Sequence, residues 1–538
     1  MSALIRHTST IAGFTVISRI FGFVRDMLLA RVLGAGLAAD AYQLAFTLPN
    51  TFRRLFAEGA FSVAFVPMYS RKLADEDGEA QAAKFANDVL SVFIWVLLGF
   101  SALAMIAMAP IIYGLASEYQ SVPGKFELSV FLSRVTFPYL FFISIVAMLT
   151  GLLNARSRFA PGAIAPILFN LTLISGIIGG WYWRGASDDD TKVVYVLSAA
   201  VALSGFVQMV YLWWAVRRAG LKLHIGVPKL TPEVKRLGII ILPATFGAGI
   251  YQISQFVDTF FATSLPQGSL TLLKMADRLN QMPLGIVGIA LGTAILPMLS
   301  RHIQSDNAGE AQRLQANAFE MATLLTLPAA AALAICAPAF VTAFFVGGKF
   351  KPEDGVIMAQ ITMALVAGLP AYVIVKILNP GFFARSDTRT PVYTALAALT
   401  FNIGLNVWFI WGLGWGIVGL AGATALSASL NCLLLYAVLH RRAWFRFNGR
   451  LALRIWRQLI ATAAMSALLW WLMDLLSGHF GGAVIERVWS LVALVGAGLA
   501  VYGAVGWLVG AVDRSEIELL MHRRRATPET ASSIETNS

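Results

Sequence analysis

Ten stretches of the chain run for at least 21 residues without an Asp, Glu, Lys or Arg: 89–117, 135–155, 159–183, 193–216, 237–257, 279–300, 321–348, 355–375, 390–440 and 488–512. A helix needs about 20 apolar residues to cross a bilayer core, so each run is long enough. The longest, 390–440, breaks at the glycine-rich Gly412–Gly416 and reads as a hairpin of two helices. Gln458–Met473, extended by apolar flanks, adds a twelfth span. Two apolar stretches interrupted by charge, about 8–33 and 37–70, bring the total to fourteen. The polar connections are short, and none can fold as a separate domain. The expected fold is an all-α polytopic membrane protein of about fourteen transmembrane helices.

Composition sharpens this picture. Of 538 residues, 58% are hydrophobic and 13% charged, against about 25% charged in a soluble chain. Mean hydropathy is +0.71. A soluble multidomain enzyme, a disordered chain and a nucleic-acid-binding protein are excluded, despite a net charge of +12. The first apolar stretch runs into Arg19 and Arg25 without a small-residue cleavage site, and is expected to be the first helix rather than a signal peptide. Cys336 and Cys432 lie in separate apolar stretches and read as small core residues.

Loop charge predicts orientation. The N-terminus, the loops after even-numbered spans and the C-terminal tail carry 26 of the 41 Lys and Arg. The loops after odd-numbered spans carry six: Lys125, Arg184, Lys192, Lys349, Lys351 and Arg487. The excess marks the cytoplasmic side, so both termini are expected there.

An internal repeat is visible. Ala64–Arg71 resembles Ala294–Arg301, Ala155-Arg156-Ser157 recurs as Ala384-Arg385-Ser386, Phe169-Asn170 as Phe401-Asn402, and Phe137-Pro138 matches Leu369-Pro370. The four offsets lie between 229 and 232 residues. Spans 1–6 and 7–12 therefore read as duplicated halves. Six is even, so the halves share one orientation, the parallel-repeat design of many transporters. Spans 13 and 14 are an addition. This gives an N-lobe at 1–222, a C-lobe at 223–443, the added pair at 444–512 and a tail at 513–538.

The first two spans carry Arg19, Arg25, Asp26, Arg31, Asp40, Arg53, Arg54 and Glu58, and their repeat partners carry Asp258, Lys274, Asp277 and Arg278; Lys376 lies in span 10. An intramembrane charge costs at least about 2.5–3.5 kcal/mol on insertion scales, so such residues face a cavity or a partner. Cations outnumber anions in these pairs, and a hydrated cavity so lined attracts an anion. Arginine suits phosphate because its planar fork donates two hydrogen bonds and keeps its charge. Arg19, Arg25, Arg53 and Arg278 are the functional candidates. Arg31, Arg54 and Lys274 fit interfacial snorkelling, and Arg19 with Asp26, seven apart on one face, also fits a structural pair. Pro49, Pro67, Pro138, Pro243, Pro283, Pro297 and Pro370 lie inside spans and permit kinks. A second polar set comprises Asp258, Asn402, Asn406 and Thr424. Its oxygens suit a hard cation such as Na⁺, and fit interhelical hydrogen bonding equally. Asp188-Asp189-Asp190 reads as a solvated external loop. No nucleophile–base constellation stands out.

The stretch Ser18-Arg19-Ile20-Phe21-Gly22-Phe23-Val24-Arg25-Asp26, then Gly34-Ala35-Gly36, Asp40-Ala41-Tyr42, Leu48-Pro49-Asn50 and Arg53–Ser62, closely resembles the MurJ (MviN) family; so does Ala276-Asp277-Arg278-Leu279 with Pro283 and Gly288–Thr293. The resemblance covers essentially the whole chain. It implies the MOP-exporter (MATE-like) fold and a lipid II flippase of the bacterial inner membrane. The substrate would be the undecaprenyl-pyrophosphate-linked peptidoglycan precursor, and no enzyme chemistry is implied. Arg19, Arg25, Arg53 and Arg278 would line the cavity and engage the pyrophosphate, and Asp26, Asp40 and Glu58 would gate or pair with those arginines. The last two spans would form a groove for the lipid tail. Some relatives carry a Na⁺ site that would fall on Asp258, Asn402, Asn406 and Thr424. Members often have an acidic residue where this chain has Gln281.

The mechanism this implies is alternating access, with transport coupled to Na⁺ or to the membrane potential, at about 2.3 kcal/mol per charge per 100 mV. Lipid II and membrane lipids are the expected partners, and a monomer is favoured. A flippase for another polyprenyl-pyrophosphate saccharide would need the same arginines. A multidrug exporter of the same superfold would need an acidic cavity, and a polyprenyl-dependent glycosyltransferase a catalytic carboxylate on a sizeable external loop.

Overall fold

A computed structural model describes residues 2–54, 61–75, 78–285 and 289–511. Among these residues the elements are helices, joined by turns and loops. We label one helix per expected span: α1 (Ser2–Leu33), α2 (Leu37–Arg53, with Phe61–Leu73), α3 (Gly78–Ile106), α4 (Lys125–Ala155), α5 (Ala160–Arg184), α6 (Thr191–Arg218) and α7 (Pro232–Thr263) in the first half. There follow α8 (Ser269–Pro283, with Ile289–Gln304), α9 (Ala308–Phe344), α10 (Pro352–Phe383), α11 (Arg389–Gly412), α12 (Gly416–Arg441), α13 (Gly449–Leu475) and α14 (Val484–Leu508). Among the described residues, ten helices are long and apolar enough to cross a membrane: α3–α6 and α9–α14. The other four expected spans, α1, α2, α7 and α8, are also helical. They are the ones that hold most of the intramembrane charge.

Helix ends follow local chemistry. Thr231 caps α7, its hydroxyl accepting from the Val234 amide, with Pro232 in the first turn where no amide hydrogen is needed. Asn448 caps α13 through the Leu451 amide at 2.8 Å. Asp387 accepts from the amides of Arg389 and Thr390 at the start of α11 and pairs with Arg442 at 2.6 Å. Those bonds hold its carboxyl down at about 2, Thr390 contributing most.

The repeat shows in the backbone. Ser157 and Ser386 both adopt left-handed φ, at 58° and 60°. At the first, the amides of residues 156, 157 and 158 reach the carbonyls of Leu153, Asn154 and Leu153. At the second, those of 385, 386 and 387 reach Phe382, Phe383 and Phe382. The ends of α6 and α12 match as well: Gly220 and Ala443 are left-handed, and the amides of Leu221 and Trp444 reach back to Val216 and Leu439. A serine or alanine at positive φ is disfavoured on its own, so the turn persists because it satisfies the carbonyls at a helix C-terminus.

The chain packs into two compact units. One holds residues 1–279, 344–361 and 392–427; the other holds 280–343, 362–391 and 428–538. In the first, α5 packs along both α1 and α6. In the second, Phe319, Leu378, Phe382, Leu435, Leu439 and Phe445 form a buried core between α9, α10 and α12. Both cysteines are free thiols, Cys336 buried.

Candidate functional site

The first unit contains a recess lined by Arg25, Asp26, Tyr42, Gln43, Lys274, Arg278 and apolar neighbours. Arg25 and Asp26 are consecutive on α1, and Lys274 and Arg278 lie one turn apart on α8. A face shared by i and i+4 thus presents two cations toward the α1 pair.

Asp26 is the hub. Its Oδ1 accepts from Arg25 Nε at 3.0 Å and Nη2 at 2.7 Å, and its Oδ2 faces Arg278 Nε at 3.4 Å. Arg25 Nη1 donates to Asn170 Oδ1 on α5 at 3.0 Å, and the Asn170 amide donates to the Ser18 carbonyl. The Arg25 guanidinium also sits 5.5 Å from the Phe169 ring centre. The Arg25 and Asp26 side chains are about a tenth exposed, whereas that of Arg278 is 37% exposed. Arg25 is therefore locked by its neighbours, and Arg278 is the arm open to a ligand. Lys274 lies within electrostatic reach of Asp277 and Asp258.

Several expectations change here. Asp26 pairs with Arg25 and Arg278, not with Arg19, which is exposed on α1 two turns earlier. Lys274 lines the recess instead of snorkelling to an interface. The carboxylate beside Arg278 comes from α1, so Gln281 leaves no gap in this pairing. Arg53 is half-buried and its Nε donates to Asn50 Oδ1 at 3.2 Å; it is not among the residues of the recess. Glu58 lies outside the described residues.

Asp40 belongs to a second cluster. It is 2% exposed and accepts from Lys125 Nζ at 3.0 Å, the Gly268 amide at 2.8 Å, and the Thr271 amide and hydroxyl at 3.1 and 2.8 Å. A carboxylate at the first turn of α8 completes free amides and meets the positive end of the helix dipole. Its cationic partner is thus Lys125, not one of the four arginines, and Lys125 is buried instead of loop-exposed, 3.9 Å from the Tyr119 ring centre. A nearby tie joins Lys349 to Asp188 and Asp190, and Arg184 to Asp190. The Lys349 ammonium holds the Asp188 carboxyl below its ordinary range. Asp190 is accordingly a tethered residue and not simply a solvated one.

The proposed cation ligands form two pairs. Thr424 Oγ1 lies 3.5 Å from Asp258 Oδ1, and Asn406 Nδ2 donates to Asn402 Oδ1 at 3.0 Å. Asn406 Oδ1 is a buried acceptor with no hydrogen-bond partner. A carboxylate, a hydroxyl and an orphaned amide oxygen fit a hard cation.

Asn170, Lys125 and Thr271 were missed as site residues. A signal existed only for Asn170, which stands in the repeat beside Phe169. A lysine at a loop edge and a threonine in a helix are otherwise unremarked by sequence.

Residues 29–490 match the family model described as lipid II flippase MurJ. A probable lipid II flippase MurJ of Rhizobium meliloti is 39% identical over 537 residues, covering 99% of this chain and 98% of that protein. The lipid II flippase MurJ of Burkholderia cenocepacia is 31% identical over 518 residues, covering 94% and 98%. Among solved structures, a lipid II flippase MurJ in an inward closed conformation superposes with a TM-score of 0.73 at 23% identity, over 93% of this chain and 98% of that one. An inward-facing multidrug resistance MATE transporter of the MOP superfamily gives 0.66 at 14% identity, over 81% and 98%. The helical order, the parallel repeat and the arginine-lined recess thus belong to a multi-pass membrane protein, and the chain is a member of the lipid II flippase MurJ family.

Proposed function

We propose that this protein moves lipid II from the cytoplasmic to the outer leaflet of the bacterial inner membrane by alternating access. The observation that carries this reading is the recess lined by Arg25, Arg278 and Lys274, in which the two arginines share one carboxylate, Asp26. Arg25 and Arg278 share the single carboxylate of Asp26, and the positive charge left over favours a pyrophosphate, whose oxygens an arginine fork can grip in pairs. The same surplus repels cationic drugs, which argues against drug export despite the MATE-like fold. The polyprenyl tail stays in lipid, along the α13–α14 pair. The Asp40 cluster closes the outer end while the recess loads from inside. In this scheme the lobes are 1–222 and 223–443, 444–512 carries the tail, and both termini and the 513–538 tail are cytoplasmic. All fourteen helices span, and one chain suffices.

The test is exposure of lipid II to an external cleaving enzyme in cells depleted of this protein. Complementation with the wild-type chain is expected to restore cleavage. Lipid II that stays externally accessible on depletion, with no second flippase present, sinks this function.

Na⁺ is the proposed coupling ion, taken by Asp258, Asn406, Thr424 and Asn402. Replacing external Na⁺ by K⁺ should slow externalisation in wild type and leave Asp258→Asn unaffected by the exchange. Equal rates for wild type in both salts would leave the membrane potential as the driving force.

A further inference from the structure

Helix α14 meets α9 at backbone groups that α9 cannot satisfy itself. Pro328 lies inside α9 and has no amide hydrogen, so the carbonyl four residues earlier, on Leu324, loses its helical partner. Tyr502 of α14 donates its hydroxyl to that carbonyl at 2.7 Å. At the C-terminal end of α9, where the last carbonyls are also free, Arg487 donates to Ala343 at 3.4 Å while its other nitrogens hold Gly481 and Gly482 of the α13–α14 turn. Toward the other end, Arg454 Nε lies 3.5 Å from Glu320, and the Gln458 amide donates to the Glu320 carbonyl at 3.3 Å. Arg454 also reaches the Gly510 carbonyl just beyond α14. All of these residues lie in the second unit.

The attachment therefore recurs at three depths of α9. The middle one depends on Pro328, whose missing amide leaves the Leu324 carbonyl for Tyr502. We propose that Tyr502 is a positioning residue keyed to the carbonyl that Pro328 frees, so that α13 and α14 move with α9 as one body. Resting on the flippase reading, the lipid-facing surface of this pair then follows α9 through the transport cycle. Exposed Trp470, Trp471, Val492 and Leu499 lie on that surface. Proline and tyrosine form a matched pair: removing the hydroxyl orphans the Leu324 carbonyl, whereas replacing the proline gives that carbonyl its own amide again. Removing both should be close to neutral, because an unmade buried hydrogen bond costs more than a deleted one.

The experiment uses full-length protein in lipid nanodiscs, with Cys336 and Cys432 replaced by serine and spin labels at Met321→Cys on α9 and Ile485→Cys on α14. Ile485 lies 17 residues before Tyr502, which separates the labels by about 25 Å along the helix axis, a measurable range. The expected result is one narrow distance distribution in the wild-type background, a broadened one in Tyr502→Phe, and recovery of the narrow one in Pro328→Ala/Tyr502→Phe. Externalisation of lipid II should fall about fivefold in Tyr502→Phe at equal abundance, within the range of one buried hydrogen bond, and recover in the double variant. A narrow distribution in Tyr502→Phe, or a double variant no better than the single, overturns the proposal. The distances do not depend on substrate. Failure of the flippase reading would leave them intact and show only in the lipid II assay.

Discussion

Arg278→Ala is expected to abolish most lipid II externalisation while leaving the protein abundant in the membrane. Arg25 spends three of its N–H donors on Asp26 and Asn170, and its side chain is a tenth exposed. Arg278 is bound more loosely, by one 3.4 Å contact to Asp26, and is 37% exposed. It is the cation with donors left to offer a pyrophosphate. A hydrogen bond to a charged group is worth about 1.5–3 kcal/mol, so losing this arm should lower the rate about 10- to 150-fold. Arg278→Lys keeps the charge and loses the fork, and should fall between the two. Asp26→Asn should behave differently. It removes the shared partner of two arginines, one of them buried, and breaking such a pair costs about 3–5 kcal/mol. Its principal effect is expected on abundance and thermal stability. The measurement is external cleavage of lipid II in depleted cells, normalised to membrane protein by immunoblot. Arg278→Ala supporting cleavage at the wild-type rate would falsify the assignment of the pyrophosphate to this recess.

Asp40→Asn should open the outer end. The carboxylate joins α2, α4 and the first turn of α8, elements from both repeats, and receives four hydrogen bonds with almost no solvent. An asparagine keeps the shape and removes the charge opposite Lys125, whose side chain is 3% exposed. The buried ammonium is then uncompensated, at a cost of about 3–5 kcal/mol. That cost falls on the closed arrangement alone, because water can reach Lys125 once the end opens. Gln43→Cys, in the recess, in a chain without its two native cysteines, should therefore react with an impermeant maleimide from outside far faster in Asp40→Asn than in the parent. Asp40→Asn/Lys125→Met removes both charges and should recover most of the protection. Unchanged labelling in Asp40→Asn, or no recovery in the double variant, rules out a gate made by this pair.

Much of this was legible before the structure. Charge-free runs located the helices, because a bilayer core tolerates little else at that length. The repeat was legible in four short matches, and its Ala-Arg-Ser element proves to be a turn with the same left-handed serine in both halves. Arg25, Asp26 and Arg278 stood out as candidates because charge in an apolar span demands a reason. Their division of labour did not stand out. Arg19 and Arg53 look equivalent to Arg25 in a list of residues, yet neither lines the recess that Arg25 shares with Arg278.

The partners were the hidden part. Lys125 sits at a loop edge in the chain and is buried against Asp40 in the fold. Asn170 is one asparagine among many until α5 packs beside α1 and turns it toward Arg25. The Tyr502 contact rests on the Leu324 backbone carbonyl, which has no side-chain signature at all. Hydrophobicity and charge act through the solvent, bilayer or water, and that preference is written residue by residue along the chain. Which donor meets which acceptor depends on distances of about 3 Å between residues as far apart in the chain as Arg31 and Lys349, and only the packed helices set those.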